Sequence, residues 1–204
     1  MKKALIVVDV QNDFCPGGSL AVQDGDKVVP IINKMIPEFD LVIFTMDWHP
    51  KNSDAFASNY KGKKPFDKYI NAQGEDDVLW PAHCVQDTIG AELHKDLDLS
   101  LIKGDFYFFK KGLNKDEHPY SGFGADGLLD FLTERGVTET YITGLATDYC
   151  VKATALDSVK NHFITKVVWD ATRGIADDLG PTMNELFNNG VILIDYEYFQ
   201  SGEK

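Results

Sequence analysis

Thr140-Tyr-Ile-Thr-Gly-Leu-Ala-Thr-Asp-Tyr-Cys-Val151 is the stretch that decides the fold. The β-branched and aromatic run from Thr140 to Thr143 predicts a short strand stopped at Gly144. Thr147 or Asp148 then offers N-cap chemistry for a helix through the pattern Lys152 to Val159. Cys150 would fall in the first turn of that helix, where unpaired N–H groups and the helix dipole favour thiolate over thiol. This makes Cys150 a candidate nucleophile, set against the commoner role of a lone cysteine as a small buried hydrophobe.

Working outward, the same alternation recurs. Lys3 to Val10 is an almost continuous apolar run of strand length, the pattern of a central strand covered on both faces. Leu41 to Met46, Asp105 to Phe109, Glu139 to Thr143, Lys166 to Trp169 and Val191 to Ile194 read as further strands. Between them lie helical patterns: one capped by Asp24 or Asp26 that runs to Ile36 and ends at Pro37, one from Asp126 to Leu132 stopped by Gly136, and one near Pro181 to Phe187. Strands alternating with helices predict a three-layer α/β/α fold with a mainly parallel, roughly six-stranded sheet of Rossmann-like type. With no repeats, low-complexity tracts or linkers, residues 1–204 are expected to form one domain. The first strand is followed by Gln11-Asn-Asp-Phe-Cys-Pro-Gly-Gly-Ser-Leu20 instead of GxGxxG, which disfavours a nicotinamide dinucleotide as redox cofactor.

Thirty-two acidic against twenty basic residues give a net charge of -12. Such a chain repels a phosphate backbone or an anionic membrane, so neither nucleic acid nor membrane is an expected partner. No apolar run approaches the roughly 20 residues of a membrane span. Cys15, Cys84 and Cys150 are odd in number, widely spaced and without CxxC, and Met1-Lys-Lys-Ala leads directly into strand-like residues. A reducing, cytoplasmic setting is the expectation.

Several chemistry-bearing residues fall near strand ends. Asp9 breaks the first apolar run, where a buried carboxylate is costly unless paired or functional. Asp47-Trp-His49-Pro50 follows the second strand, and Trp80-Pro-Ala-His83-Cys-Val85 lies in the loop-rich segment 51–90. Together Asp47, His49 and His83 make a two-His, one-carboxylate set with positions left open for water or substrate. His94, His118 and His162 have no such partners nearby in sequence and read as surface residues. A lysine, Lys110 or Lys111, closes the third strand. A parallel sheet brings Asp9, Asp47, this lysine and Cys150 to the carboxyl edge, where open α/β sheets carry their sites.

These residues resemble the nicotinamidase/pyrazinamidase family of isochorismatase-like cysteine hydrolases. The resemblance rests on Ile6-Val-Val-Asp-Val-Gln-Asn-Asp-Phe-Cys15 with Gly17-Gly-Ser-Leu-Ala-Val22, Asp47-Trp-His-Pro50, Trp80-Pro-Ala-His-Cys-Val85, Lys111-Gly112, Tyr120-Ser-Gly-Phe123 and Gly144-Leu-Ala-Thr-Asp-Tyr-Cys-Val151. It implies Cys150 as nucleophile, Asp9 as its base and Lys111 as third member, with Lys111 lowering the pKa of both. It further implies a cis peptide at Leu145-Ala146, an oxyanion hole from the N–H groups of Ala146 and Cys150, and Phe14, Trp80 and Tyr120 as aromatic walls for a flat ring. Asp47, His49 and His83 match the ligands of one divalent metal, zinc foremost, with iron or manganese compatible. The implied activity is hydrolysis of nicotinamide, and of pyrazinamide, to the acid and ammonia through a thioester, in NAD salvage; a homo-oligomer is compatible with it. A related amidase acting on a carbamoyl or ureido substrate is the alternative. The chain departs from the family at Ser53: many relatives have a histidine after the asparagine here numbered Asn52. No fourth protein ligand is expected from that segment, and water is left to complete the shell.

Overall fold

The computed structural model describes residues 2–202. Six strands form one sheet: β1 (Lys2–Val8), β2 (Leu41–Asp47), β5 (Asp105–Lys111), β6 (Val137–Leu145), β7 (Ile164–Arg173) and β8 (Ile192–Ile194), in the spatial order β5-β2-β1-β6-β7-β8. Every neighbouring pair in it is parallel. From β1 the chain winds outward through β2 to β5, then returns to pair β6 with the other side of β1. This is the doubly wound order, and its switch point lies between β1 and β6.

Side-chain alternation divides the core in two. Leu5, Val7, Val42 and Phe44 face one layer with Val29, Ile32 and Met35 of α1 (Val29–Met35). Ala4, Ile6, Val8, Leu41 and Ile43 face the other, against Leu128 and Leu132 of α2 (Leu128–Glu134), Ala155 of α3 (Lys152–Lys160) and Leu186 of α4 (Gly180–Asn188). A strand whose residues alternate faces, with both faces covered, must be apolar throughout, and Ala4 to Val8 are all fully buried. That accounts for the unbroken run in the sequence. A short helix α5 (Tyr196–Gln200), not apparent in the sequence, covers the first layer by stacking Phe199 on Phe39, with ring centroids 5.6 Å apart.

Several expectations are corrected. The first strand ends at Val8 rather than Val10, because Asp9 adopts φ +49°. Neither Asp24 nor Asp26 caps α1 through its side chain; a 3₁₀ turn, Gly25–Val28, leads into it instead. Neither Thr147 nor Asp148 caps α3: a π-turn, Thr147–Val151, precedes it, and the Asp148 carboxylate accepts from the N–H groups of Ile175 and Ala176, each at 2.9 Å. The loop-rich segment holds a small antiparallel hairpin, β3 (Lys68–Ile70) with β4 (Asp76–Val78). Its three-residue strands are too short to leave a period in the sequence.

Candidate active site and metal centre

Sheet register builds the site. Asp47 is the last residue of β2 and pairs with Lys111, the last residue of β5. Val8 pairs with Thr45 on one side and Gly144 on the other, so Asp9 emerges beside both β2 and the end of β6. Cys150 follows in the π-turn after β6. The carboxyl edge of four adjacent strands therefore gathers these four residues, as the sequence predicts.

Lys111 is 1% exposed, and its ammonium is the hub. Nζ donates to Asp47 Oδ1 in a short contact, to the Pro119 carbonyl at 3.2 Å and to Cys150 Sγ at 3.6 Å, and it stands 3.0 Å from Asp9 Oδ2. Thr45 Oγ1 donates to the other Asp9 oxygen at 2.7 Å. One acceptor atom each from Asp9, Asp47 and Cys150 lie within 4.8 Å of one another. Lys110 projects from the opposite side of the strand, with Nζ 3.4 Å from the centroid of the Trp48 ring. Strand alternation thus resolves the choice between the two lysines.

Electrostatics differ from the expectation in one respect. Burial pushes the Cys150 thiol well above its ordinary value, against the pull of the Lys111 ammonium, and the two carboxylates push it further. Burial raises Asp9 too, again against Lys111. Asp47 goes the other way: burial alone would raise it, but Lys111 and His49 hold it well below the usual carboxylate range. Two carboxylates and a thiol compete for one ammonium in a buried site, and Asp47 makes the shortest contact with it.

The second cluster is drawn from loops. His49 Nδ1 faces the Gly112 carbonyl at 3.2 Å and His83 Nδ1 faces the Pro81 carbonyl at 2.8 Å. Each contact assigns the ring proton to Nδ1 and leaves the Nε2 lone pair free. Those Nε2 atoms lie 3.5 Å (His49) and 3.8 Å (His83) from Asp47 Oδ2. His49 Nε2 is buried with no hydrogen-bond partner. Bond lengths of about 2.0–2.2 Å to zinc put neighbouring ligand atoms at such separations, so the residues fit a divalent metal. Gly112 is required here: its φ is +70°, and a Cβ would collide with the His49 imidazole.

Between the clusters lies a small cavity lined by Phe14, Leu20, Asp47, Trp80, His83, His118, Tyr120, Ala146, Tyr149, Cys150 and Ile175. Its lining is largely aromatic and apolar and converges on Cys150, the character of a small-molecule pocket. Phe14, Trp80 and Tyr120 all line it. Tyr120 is fixed by donating to Asp77 Oδ1 at 2.7 Å and accepting from Trp80 Nε1 at 3.1 Å. The peptide bond Leu145-Ala146 is cis, and Ala146 and Cys150 both border the cavity.

The isochorismatase domain model matches residues 3–197. The nicotinamidase of Acinetobacter baylyi is 46% identical over 178 residues, covering 84% of this chain and 81% of that one. The chain belongs to the nicotinamidase/pyrazinamidase family of isochorismatase-like hydrolases. Among solved structures of the family, yeast nicotinamidase bound to the inhibitor nicotinaldehyde superposes with a TM-score of 0.88 at 32% identity, covering 95% of this chain and 99% of that one. Pyrococcus horikoshii pyrazinamidase in complex with zinc gives 0.79 at 37% identity, with 96% and 99% covered.

Against this nicotinamidase frame, three contributions escape sequence reading. Gln11 is fully buried; its Nε2 donates to the Asp47 carbonyl at 2.8 Å and its Oε1 accepts from Asp47 N–H at 2.8 Å, which clamps the end of β2. Asp13 Oδ2 accepts from Cys84 N–H at 2.7 Å and so holds the loop carrying His83. Both lie in the first motif, where only Asp9 carries an obvious chemical signal. Tyr149 packs edge-on against Trp80, with centroids 4.9 Å apart, and closes the cavity beside Cys150. His118, expected on the surface, instead sits against His49 with ring centroids 4.9 Å apart, and burial holds its pKa well below the ordinary histidine value. His94 is half-buried and His162 exposed.

Proposed function

We propose that the protein hydrolyses nicotinamide, and pyrazinamide with it, to the carboxylate and ammonia through a thioester on Cys150. The observation that carries this reading is the Lys111 ammonium in contact with Asp9, Asp47 and Cys150, beside a small cavity walled by Phe14, Trp80, Tyr120 and Tyr149. The substrate class is supported by the family, whose members are named for this reaction.

Asp9 accepts the proton from Cys150 Sγ as sulfur attacks the carbonyl carbon. Its raised pKa makes it a stronger base than an ordinary carboxylate, while the desolvated thiol gains nucleophilicity as its proton leaves. The N–H groups of Ala146 and Cys150 receive the oxyanion. Asp9 then delivers its proton to the departing nitrogen, which leaves as ammonia with the electrons of the broken C–N bond. A water molecule next gives its proton to Asp9 and attacks the thioester. Nicotinate forms, and the sulfur recovers a proton from Asp9. Lys111 holds Asp9 and Cys150 in one place and offsets the charge passing between them. Asp47, His49 and His83 would hold the divalent metal, zinc foremost, which when bound supplies a template for the ring nitrogen. Phe14, Trp80 and Tyr120 bound the ring. The three thiols are all unpaired and buried, which suits the reducing cytosol where nicotinamide is salvaged for NAD.

An ammonia-release assay over a panel of amides, with and without chelator, tests the reading. Nicotinamide and pyrazinamide should be turned over and benzamide, which lacks the ring nitrogen, only poorly. Preference for an N-carbamoyl amine, indifferent to chelator, would contradict it.

A further inference from the structure

We propose that His118 is a fourth protein ligand of the metal, giving this chain a centre of three imidazoles and one carboxylate. The inference rests on the reading of Asp47, His49 and His83 as metal ligands. It departs from the expectation that water alone completes the shell.

The segment after Asp47-Trp-His-Pro offers no ligand. Ser53 is fully buried, its Oγ accepts from Ala55 N–H at 3.3 Å, and its carbonyl accepts from Asn59 Nδ2 at 2.8 Å, so this loop is tied to its own backbone. The vacant role is met from a residue 65 positions later. One nitrogen from each of His49, His83 and His118 lies within 4.8 Å of the other two, close to what two metal–nitrogen bonds of about 2.0–2.1 Å can bridge. Nδ1 of His118 is buried and has no hydrogen-bond partner, and His49 Nε2 shares that condition. A buried imidazole nitrogen without a partner is costly, and two of them side by side point to an absent common acceptor of their lone pairs.

The backbone around His118 is fixed from outside the cluster. The Pro119 carbonyl accepts from Lys111 Nζ at 3.2 Å, Tyr120 is held by Asp77 and Trp80, and the Lys115 carbonyl accepts from Asp54 N–H at 2.8 Å. The ring is therefore presented to His49 by contacts that do not depend on it. The donor set selects a borderline divalent cation such as zinc or ferrous iron over magnesium or calcium, which prefer oxygen.

X-ray absorption on the intact wild-type protein carrying one equivalent of zinc reads the number of coordinated imidazoles without any variant. Three are expected in wild type and two in His118→Ala, with added free imidazole restoring the third. In chelator competition His118→Ala should bind zinc at least about 10–100-fold more weakly, the range known for loss of even a supporting partner. His49→Ala serves as the control. Two imidazoles in wild type, with zinc affinity unchanged in His118→Ala but lost in His49→Ala, would overturn the role of His118 and leave the three-residue site standing. Zinc affinity unchanged in both variants, or no stoichiometric metal in wild type, would overturn both.

Discussion

The two halves of the site are built differently. Asp9, Lys111 and Asp47 stand at the ends of three adjacent strands, with Cys150 one turn beyond a fourth, and the register of a buried parallel sheet fixes their spacing. His49, His83 and His118 ride on loops. Their relative placement rests on hydrogen bonds between loops: His49 N–H to the Cys84 carbonyl at 3.0 Å, Gln86 N–H to the His49 carbonyl at 2.8 Å, Cys84 N–H to Asp13, and the anchored Pro119-Tyr120 pair. Shifting the catalytic cluster would require shifting the sheet core, which makes it the rigid half, whereas the metal cluster is tied through loop backbone. Asp47 joins them: it stands at a strand end against Lys111 and also faces the His49 and His83 imidazoles, so the sheet sets the position of the carboxylate that the loop histidines meet.

The largest expected break falls in the rigid half. Asp9→Asn keeps the shape of the side chain but removes the proton acceptor, and kcat should fall by about 10²–10⁴-fold, the usual worth of a positioned general base. Metal removal strikes the other half: KM for nicotinamide should rise by about 10–100-fold, equivalent to one charge-assisted contact of about 1.5–3 kcal/mol, while the poor rate on benzamide stays unchanged. An equal loss on both amides would place the metal's effect in the catalytic cluster and erase the distinction.

Stability should move opposite to activity. Because burial raises Asp9 in the folded state, this group costs stability as pH climbs from its unfolded value through its folded one. Metal-free Asp9→Asn protein should therefore melt higher than wild type at pH 7, with the gain vanishing in acid. Calorimetry at two pH values checks this, and a lower Tm at pH 7 would mean that Lys111 needs both carboxylates. The smallest effect separates the two lysines. Lys110→Ala loses a cation–π contact of about 0.5–1 kcal/mol on Trp48 and should leave kcat/KM unchanged. An activity loss there would undo the assignment of Lys111.

Legibility in the sequence follows the same division. The six strands and the edge residues were readable because two-sided burial demands apolar runs and a polar residue among them stands out, as Asp9 does. His118 was unreadable, since nothing between Lys111 and Tyr120 has a period and its partners lie more than 30 residues away. Gln11 and Asp13 act through backbone groups of distant loops, which leave no trace in spacing. The direction of the Cys150 shift was also hidden: a helix start suggests a lowered pKa, but burial, with the two carboxylates adding to it, pushes the thiol upward.

The most direct test of the central claim is ammonia release from nicotinamide by Cys150→Ala protein loaded with one equivalent of metal. The account predicts a loss of about 10⁴-fold or more with nicotinamide still bound, as expected when a covalent nucleophile is removed from an intact pocket. Turnover near that of wild type would contradict it and assign the attack on the amide to something other than this sulfur.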